Sequence, residues 1–475
     1  MVSDRSHQRP KWTFAIVSIA LFMVVLDNLV VTTALPSIRA DLGATIESLQ
    51  WTVNAYTLTF AVLLLTGAAL GDRFGRKRMF AIGVTLFTVA SAAAALAPTT
   101  GALIAARAIQ GAAAASVLPL TLTLLSEAFP AGRRGLVLGL WSGLSGLAVA
   151  VGPLVGGAVV DGISWHWIFW INVPIGIALV PLAIRFLAES RGPAKHLDLP
   201  GLLLGGFGLL GVVYGIVRGN EQGWASTEIL GSLIAGAVLV AAFVAWELRA
   251  PHPMLPMRFF RSRTFSAANG VGFVMSFGVF GSIFLLAPFL QVTQGLSPLE
   301  AGIRTLPWTA MPMLIAPWAG ILSDRIGSRP LMATGLALQA GALAWLAAIS
   351  VPDVPYSSLV LPFAMAGAGM ALVFAPSANA VLGSVDQRSA GQASGATNAI
   401  RELGGVMGIA VLASVFSAHG SYASPQAYTD GMVSAVWVGA AVLAAGALIA
   451  LLIPRAAGRG EAPAQAPAVA QPAAA

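Results

Sequence analysis

The sequence predicts an all-α polytopic membrane protein of fourteen transmembrane helices, arranged as two six-helix bundles with two helices inserted between them and both termini cytoplasmic. Composition, run length and a repeated loop lead there. Of the 475 residues, 57% are hydrophobic and 9% charged, and the mean hydropathy is +0.82, whereas a soluble domain carries roughly a quarter of its residues charged. Apolar runs near the ~20 residues that cross a bilayer recur from end to end. The charged stretch GDRFGRKRMF at 71–80 returns as SDRIGSRPLM at 323–332, the mark of an internal repeat.

Helices are expected at about 12–38, 49–71, 78–97, 101–128, 133–160, 165–187, 198–217, 227–248, 264–291, 298–322, 330–350, 356–384, 389–418 and 429–453. Threaded this way, 21 of the 26 Lys and Arg residues fall on one side, Arg39, Arg218 and Arg304 on the other, and Arg107 and Arg401 inside helices. Such asymmetry puts the first side in the cytoplasm. Arg5, Arg9 and Lys11 precede the first apolar run as in a signal peptide, but that run continues for a full span, so a retained helix is expected.

The repeat divides the chain. Each copy follows the second helix of its half, and two helices later an acid closes a span before basic residues, Glu127 ahead of Arg133 and Arg134, Asp386 ahead of Arg388. The expected units are a cytoplasmic segment at 1–11, an N-terminal bundle at 12–187, an inserted pair at 198–248, a C-terminal bundle at 264–453 and a disordered cytoplasmic tail at 454–475, rich in Ala, Pro and Gln. Paired halves are the usual ground plan of secondary transporters, with cargo bound at their interface.

Several chemistries are ruled out. Cysteine is absent, which removes disulfides and thiol catalysis. No phosphate-binding Gly-x-x-x-x-Gly-Lys-(Ser/Thr) loop occurs, so energy must come from an ion gradient and no cofactor is expected. The five histidines lack paired metal spacing. The net charge of +7 sits in short loops beside spans, which argues for a lipid bilayer as partner and against nucleic acid.

Charge inside the spans points to function. Asp27 falls midway to two-thirds along the first helix, where a carboxylate is costly unless it faces a polar cavity. Such an acid can exchange a proton and, when ionised, attract a cation, so proton and cargo would compete. The structural alternative is a carboxylate bonded to a neighbouring helix through Asn54 or Arg107. Arg107, in the outer part of the fourth helix, needs a counter-charge or snorkels to the interface. Arg401 and Glu402 are neighbours about 100° apart on one helix, so at least one seeks a partner elsewhere; Glu402 is a second candidate for proton or cation binding. Cavity candidates are Asn28, Trp51, Asn54, Tyr56, Gln110, Trp141, Phe277 and Asn398, although Phe273, Phe277, Phe280 and Phe284 at helical spacing also fit plain packing. Around the repeated loop, Asp72 is placed to accept from the N–H groups of a neighbouring helix start, Gly75 permits a sharp turn, and the cations that follow can pair with acids such as Glu127. Asp72, Arg73, Gly75, Arg76 and Glu127, with Asp324, Arg325 and Asp386 in the second copy, are read as a cytoplasmic latch that holds one conformation.

These stretches together resemble the major facilitator superfamily, and specifically its fourteen-helix drug:proton antiporter branch. LGDRFGRKR and LSDRIGSRP resemble the family's loop motif, RAIQGAAAA at 107–115 its fourth-helix motif, VGPLVGG at 151–157 the core of its fifth-helix antiporter signature, and LDNLVVTTALP at 26–36 its first-helix motif. WHWIFWINVPIG at 165–176 and IRELGGVMG at 400–408 are familiar from the same branch. Ala68 and Ala148 stand where the motifs usually have glycine, and His166 where relatives often carry arginine. The resemblance implies that Arg107 tunes the proton affinity of Asp27, that Arg401 and Glu402 face the cavity, and that Gly152, Pro153, Gly156 and Gly157 mark an exporter. The implied function is proton-coupled efflux of small amphipathic, drug-like compounds, lipophilic cations included, by alternating access. A monomeric, non-enzymatic, multi-pass protein of the plasma membrane is expected. Export of a specific metabolite, antibiotic or lipid is the alternative.

Overall fold

The structure, a computed structural model, describes residues 2–129, 131–192, 197–385 and 390–454; at 2–9, 131–136, 138–139, 142–143, 145–146, 149–150, 324 and 390–391 it describes the backbone alone. The helices are α1 (Val2–Leu42), α2 (Ile46–Phe74), α3 (Arg76–Ala95), α4 (Thr100–Ala128), α5 (Ala131–Gly162), α6 (Trp167–Trp170), α7 (Asn172–Phe186), α8 (Leu199–Gln222), α9 (Thr227–Glu247), α10 (Arg263–Pro288), α11 (Pro298–Arg304), α12 (Leu306–Thr309), α13 (Met311–Ile326), α14 (Ser328–Ile349), α15 (Tyr356–Gly383), α16 (Ala390–His419) and α17 (Pro425–Ala450). No strand occurs among the described residues.

By length and composition, twelve helical stretches among the described residues are apolar enough to cross a membrane, against fourteen expected spans. The other two expected spans are 133–160 and 298–322. The first lies on α5, a 32-residue helix whose side chains are described only in part, Val151–Gly162 being its continuous described apolar stretch. The second is cut into α11, α12 and α13, because Pro307 and Pro312 at the starts of α12 and α13 supply no N–H to the preceding turn and clash with it. Elsewhere the expected boundaries move little, apart from α1 beginning at Val2 instead of about 12, a break at residue 171 between α6 and α7 and a π-helical turn, Phe289–Thr293, that ends α10.

Helices α1–α7 pack among themselves, and so do α10–α17. The α8–α9 pair leans on α2 and α16. Between the two groups the chief contacts are α2 with α16 and α5 with α11. Two faces of the bundle follow from the turns that meet. On one, the turn at Gly75 is held by the segment after α7, where Arg76 N donates to Ser190 O at 2.9 Å and Gly192 N to Asp72 O at 3.1 Å. On the other, which we call the far face, the groups close against each other. Gln291 Nε2 donates to Thr33 O at 2.9 Å, and the Arg39 guanidinium lies 4.2 Å from the centroid of the Tyr422 ring. Burial pushes the Tyr422 phenol up to about 12, so this cation–π contact does not titrate at physiological pH.

The inserted pair bridges both groups at the far face. Arg218 on α8 donates to Glu47 on α2 at 2.6 Å, and Asn220 donates to Ser414 Oγ on α16 at 3.0 Å. Below these bonds Leu58, Val213, Val217, Val406 and Ala410 form one buried cluster, with Trp51 packed against it. Trp51 thus faces α8, its ring 6.5 Å from that of Tyr214; this corrects its assignment as a cavity residue.

Candidate functional site: a buried ion pair between α1 and α4

Asp27 is 1% exposed and Arg107 0%. Arg107 and Gln110, three residues apart on α4, share one face of that helix and aim at α1. Arg107 Nη1 donates to Asp27 Oδ2 at 2.5 Å and to Gln110 Oε1 at 3.1 Å, while its Nε donates to Thr52 O at 3.3 Å. Gln110 Nε2 reaches Asp27 Oδ1 at 3.3 Å, and Asn172, at the start of α7, donates to the same oxygen at 2.7 Å. Ser91 Oγ on α3 accepts from Gln110 at 2.6 Å and from Asn172 at 3.2 Å. The guanidinium lies 4.2 Å from the Tyr56 ring centroid, and Tyr56 OH donates to Val24 O at 3.3 Å. A guanidinium and an amide from α4 and a second amide from α7 therefore satisfy one carboxylate, which is what a charge buried in hydrocarbon requires.

Against the sequence reading, Asp27 does not open onto a chamber here: its side chain is 0% exposed. The bonding partner is Arg107, one of the two the structural alternative named; Asn54 is not. Tyr56 and Gln110 belong to this network rather than to a cavity wall. Asn172 and Ser91 escaped the sequence reading. Asn172 sits in WHWIFWINVPIG, a stretch singled out without a role, whereas Ser91 in an alanine run carries no signal.

A second polar locus lies where α2 meets α16. The two helices meet with Gly395 against Leu65. Glu402 Oε2 and both amide atoms of Asn54 are buried with no hydrogen-bond partner among the described residues. Arg401 turns away, its stem over Gly272 and its guanidinium 4.5 Å from the Phe374 centroid. Asn28 and Asn398 are half-buried, Trp141 Nε1 donates to Thr121 Oγ1 at 3.1 Å, and Phe277 is buried with its carbonyl against Gly408. Phe277 is a packing residue, not a cavity wall.

The charged turn holds the pairing of Arg76 with Glu127 that the sequence suggested. Arg76 pairs with Asp72 at 2.7 Å and with Glu127, clamping α2, α3 and α4 together within one group. Among the described residues Asp72 accepts from the Arg76 side chain. Glu189, unforeseen from sequence, caps the start of α3, its carboxylate accepting from Lys77 N at 3.0 Å and Arg78 N at 3.2 Å. Arg73 and Arg325 are exposed. The Asp324 side chain and Asp386 lie outside the described residues. Gly75 and Gly327 both have positive φ, +109° and +84°, which accounts for glycine in both copies. Gly75→Ala strains the turn and drives a methyl to within 2.8 Å of the Glu189 carboxylate. It is expected to cost about 1–3 kcal/mol, read as a lowered midpoint of thermal unfolding in detergent.

The α5 glycines serve close approach. A Cβ at Gly152 would meet Leu29 at 2.8 Å, one at Gly156 would meet Thr33 Oγ1 at 2.4 Å, and one at Gly157 would meet Pro298 O at 2.3 Å; the Pro153 carbonyl lies against Gly302. Gly152 and Gly156 thus seat α5 on α1, and Gly157 and Pro153 seat it on α11 across the two groups.

Long apolar helices packed around a buried ion pair define a multi-pass membrane protein of the transporter type. The chain belongs to the major facilitator superfamily, whose family profile matches residues 17–409 and 271–475. It is 34% identical over 406 residues to the tetracenomycin C resistance and export protein of Streptomyces glaucescens, covering 85% of this chain and 75% of that one. It is 35% identical over 410 residues to the multidrug resistance protein Stp of Mycobacterium tuberculosis, covering 86% and 76%. Among solved structures, a bacterial homologue of the human lysosomal transporter Spinster superposes with a TM-score of 0.66 over 94% of this chain and 97% of that one, at 17% identity. At that identity the likeness is one of fold.

Proposed function

We propose that this protein exports small amphipathic, drug-like compounds, lipophilic cations among them, across the plasma membrane in exchange for protons. The Asp27–Arg107 pair carries this reading, because an ion pair sealed between two helices is a two-state element that a proton can switch. The bundles at 12–187 and 264–453 would rock about the closed far face, with both termini cytoplasmic and the inserted pair moving between them. In the state described, the carboxylate is paired and closed off. As α1 shifts against α4 the pair opens, Asp27 takes a proton, and the change reaches the cargo locus at Glu402 and Asn54, where a cation would find an unpaired carboxylate oxygen. No cofactor takes part, and the unit is a monomer.

Relatives whose names state multidrug resistance and antibiotic export support the cargo class. The name of the S. glaucescens relative favours the second reading, one dedicated antibiotic or metabolite as cargo; a resistance profile over chemically varied compounds separates the two. The direct test is purified protein in liposomes under an imposed pH gradient. Uptake of a lipophilic cationic dye driven by the gradient is expected, and its absence for every compound tried would end the proposal. Glu402→Gln is expected to abolish cation transport while leaving movement of neutral cargo, because only the cation needs the negative charge. Equal loss of both would remove Glu402 from cargo recognition.

A further inference from the structure

The two oxygens of Asp27 have different surroundings. Oδ1 accepts amide N–H groups from Asn172 at 2.7 Å and Gln110 at 3.3 Å, whereas Oδ2 accepts from the Arg107 guanidinium at 2.5 Å. Both amides are anchored in turn on Ser91 Oγ, at 3.2 and 2.6 Å, and all five side chains are at most 1% exposed. The stretch 165–172 holds α1 at two points. Trp165 Nε1 donates to Asp41 Oδ2 at 2.9 Å near the end of α1, and Asn172 donates to Asp27 in its middle. Ile168 and Phe169 are buried between these two anchors. The WHWIFWIN stretch thus ties α1 to the start of α7, at Asp41 and at the Asp27 carboxylate.

We infer that Asn172 is a positioning residue that confines the exchange at Asp27 to one atom, so that the proton and Arg107 compete for Oδ2. This rests on the reading of Asp27 as the proton site. When Arg107 withdraws, a proton delivered by water bonds to Oδ2, and Oδ1 becomes the carbonyl oxygen of the neutral acid, still accepting from Asn172 and Gln110. Arg107 keeps its charge; its Nη2, without a partner among the described residues, is free to take a new acceptor. When the proton leaves to water, Oδ2 is again anionic and the guanidinium returns. Without the amides either oxygen could take the proton, and a proton on Oδ1 would leave Arg107 bonded. Proton uptake would then no longer force the ion pair apart.

Infrared difference spectroscopy of the purified protein in lipid vesicles, acidic minus neutral pH and wild type minus Asp27→Asn, isolates the carbonyl stretch of protonated Asp27. With Oδ1 hydrogen-bonded, that band lies at low wavenumber in wild type, and in Asn172→Ala it moves to higher wavenumber as the carbonyl loses a donor. If Asn172→Ala does not accumulate, Gln110→Ala removes the other donor and is read the same way. A band unmoved in both variants overturns the role of Asn172 while leaving Asp27 as the proton site. No carbonyl band at any pH overturns the proton reading and this inference with it.

Discussion

Asp27→Asn is expected to reduce pH-driven export to the level of vesicles without protein. The substitution keeps the shape of the side chain and one of the two acceptor oxygens, but an amide cannot take up and release a proton. The measurement is dye movement in proteoliposomes under an imposed gradient, at equal reconstituted protein. Loss of gradient-driven transport with retained downhill exchange of cargo would place the proton on this side chain. Undiminished pH-driven transport would move the coupling elsewhere, with Glu402 the next acid to test.

Arg107→Ala should have the largest effect on stability. It leaves Asp27 charged in a site that is 0% exposed, and removing one partner of a buried pair costs about 3–5 kcal/mol. Chemical denaturation in detergent measures the change. The double variant Asp27→Asn/Arg107→Gln removes both charges at once and is expected to recover most of that loss while remaining inactive in transport. A cost below about 1 kcal/mol for Arg107→Ala would match an exposed pair and would mean that water enters the site.

Sequence and tertiary structure contributed differently at each locus. Asp27 and Arg107 stand out in one dimension because charge is rare in apolar runs, and so they were singled out separately. That they bond each other depends on α1 and α4 meeting at one level, which no local pattern encodes. The charged turn shows the same division. Gly75 is required by a positive φ set within the turn itself, and pairing of Arg76 with Glu127 follows from two short motifs. Glu189 lies 112 residues from its donor partner Lys77 in a segment with no motif, so only the folded chain shows that it caps α3. Trp51 and Phe277 went the other way: aromatic character suggested a cavity, and packing against α8 and α16 took them out of it.

What the sequence determined by itself is the all-helical, membrane-spanning character, most of the helix positions, the repeat and the family, because hydropathy, turn chemistry and contiguous motifs are properties of neighbouring residues. What only the tertiary structure decided is the set of partners. These are the sealing of Asp27 beneath Arg107, the amides from Asn172 and Gln110, the bridge from α8 to both halves, and the closure of the far face. Each brings together side chains from helices distant in the chain, and a buried charge is satisfied by whatever donor the packing delivers to it, not by its sequence neighbours.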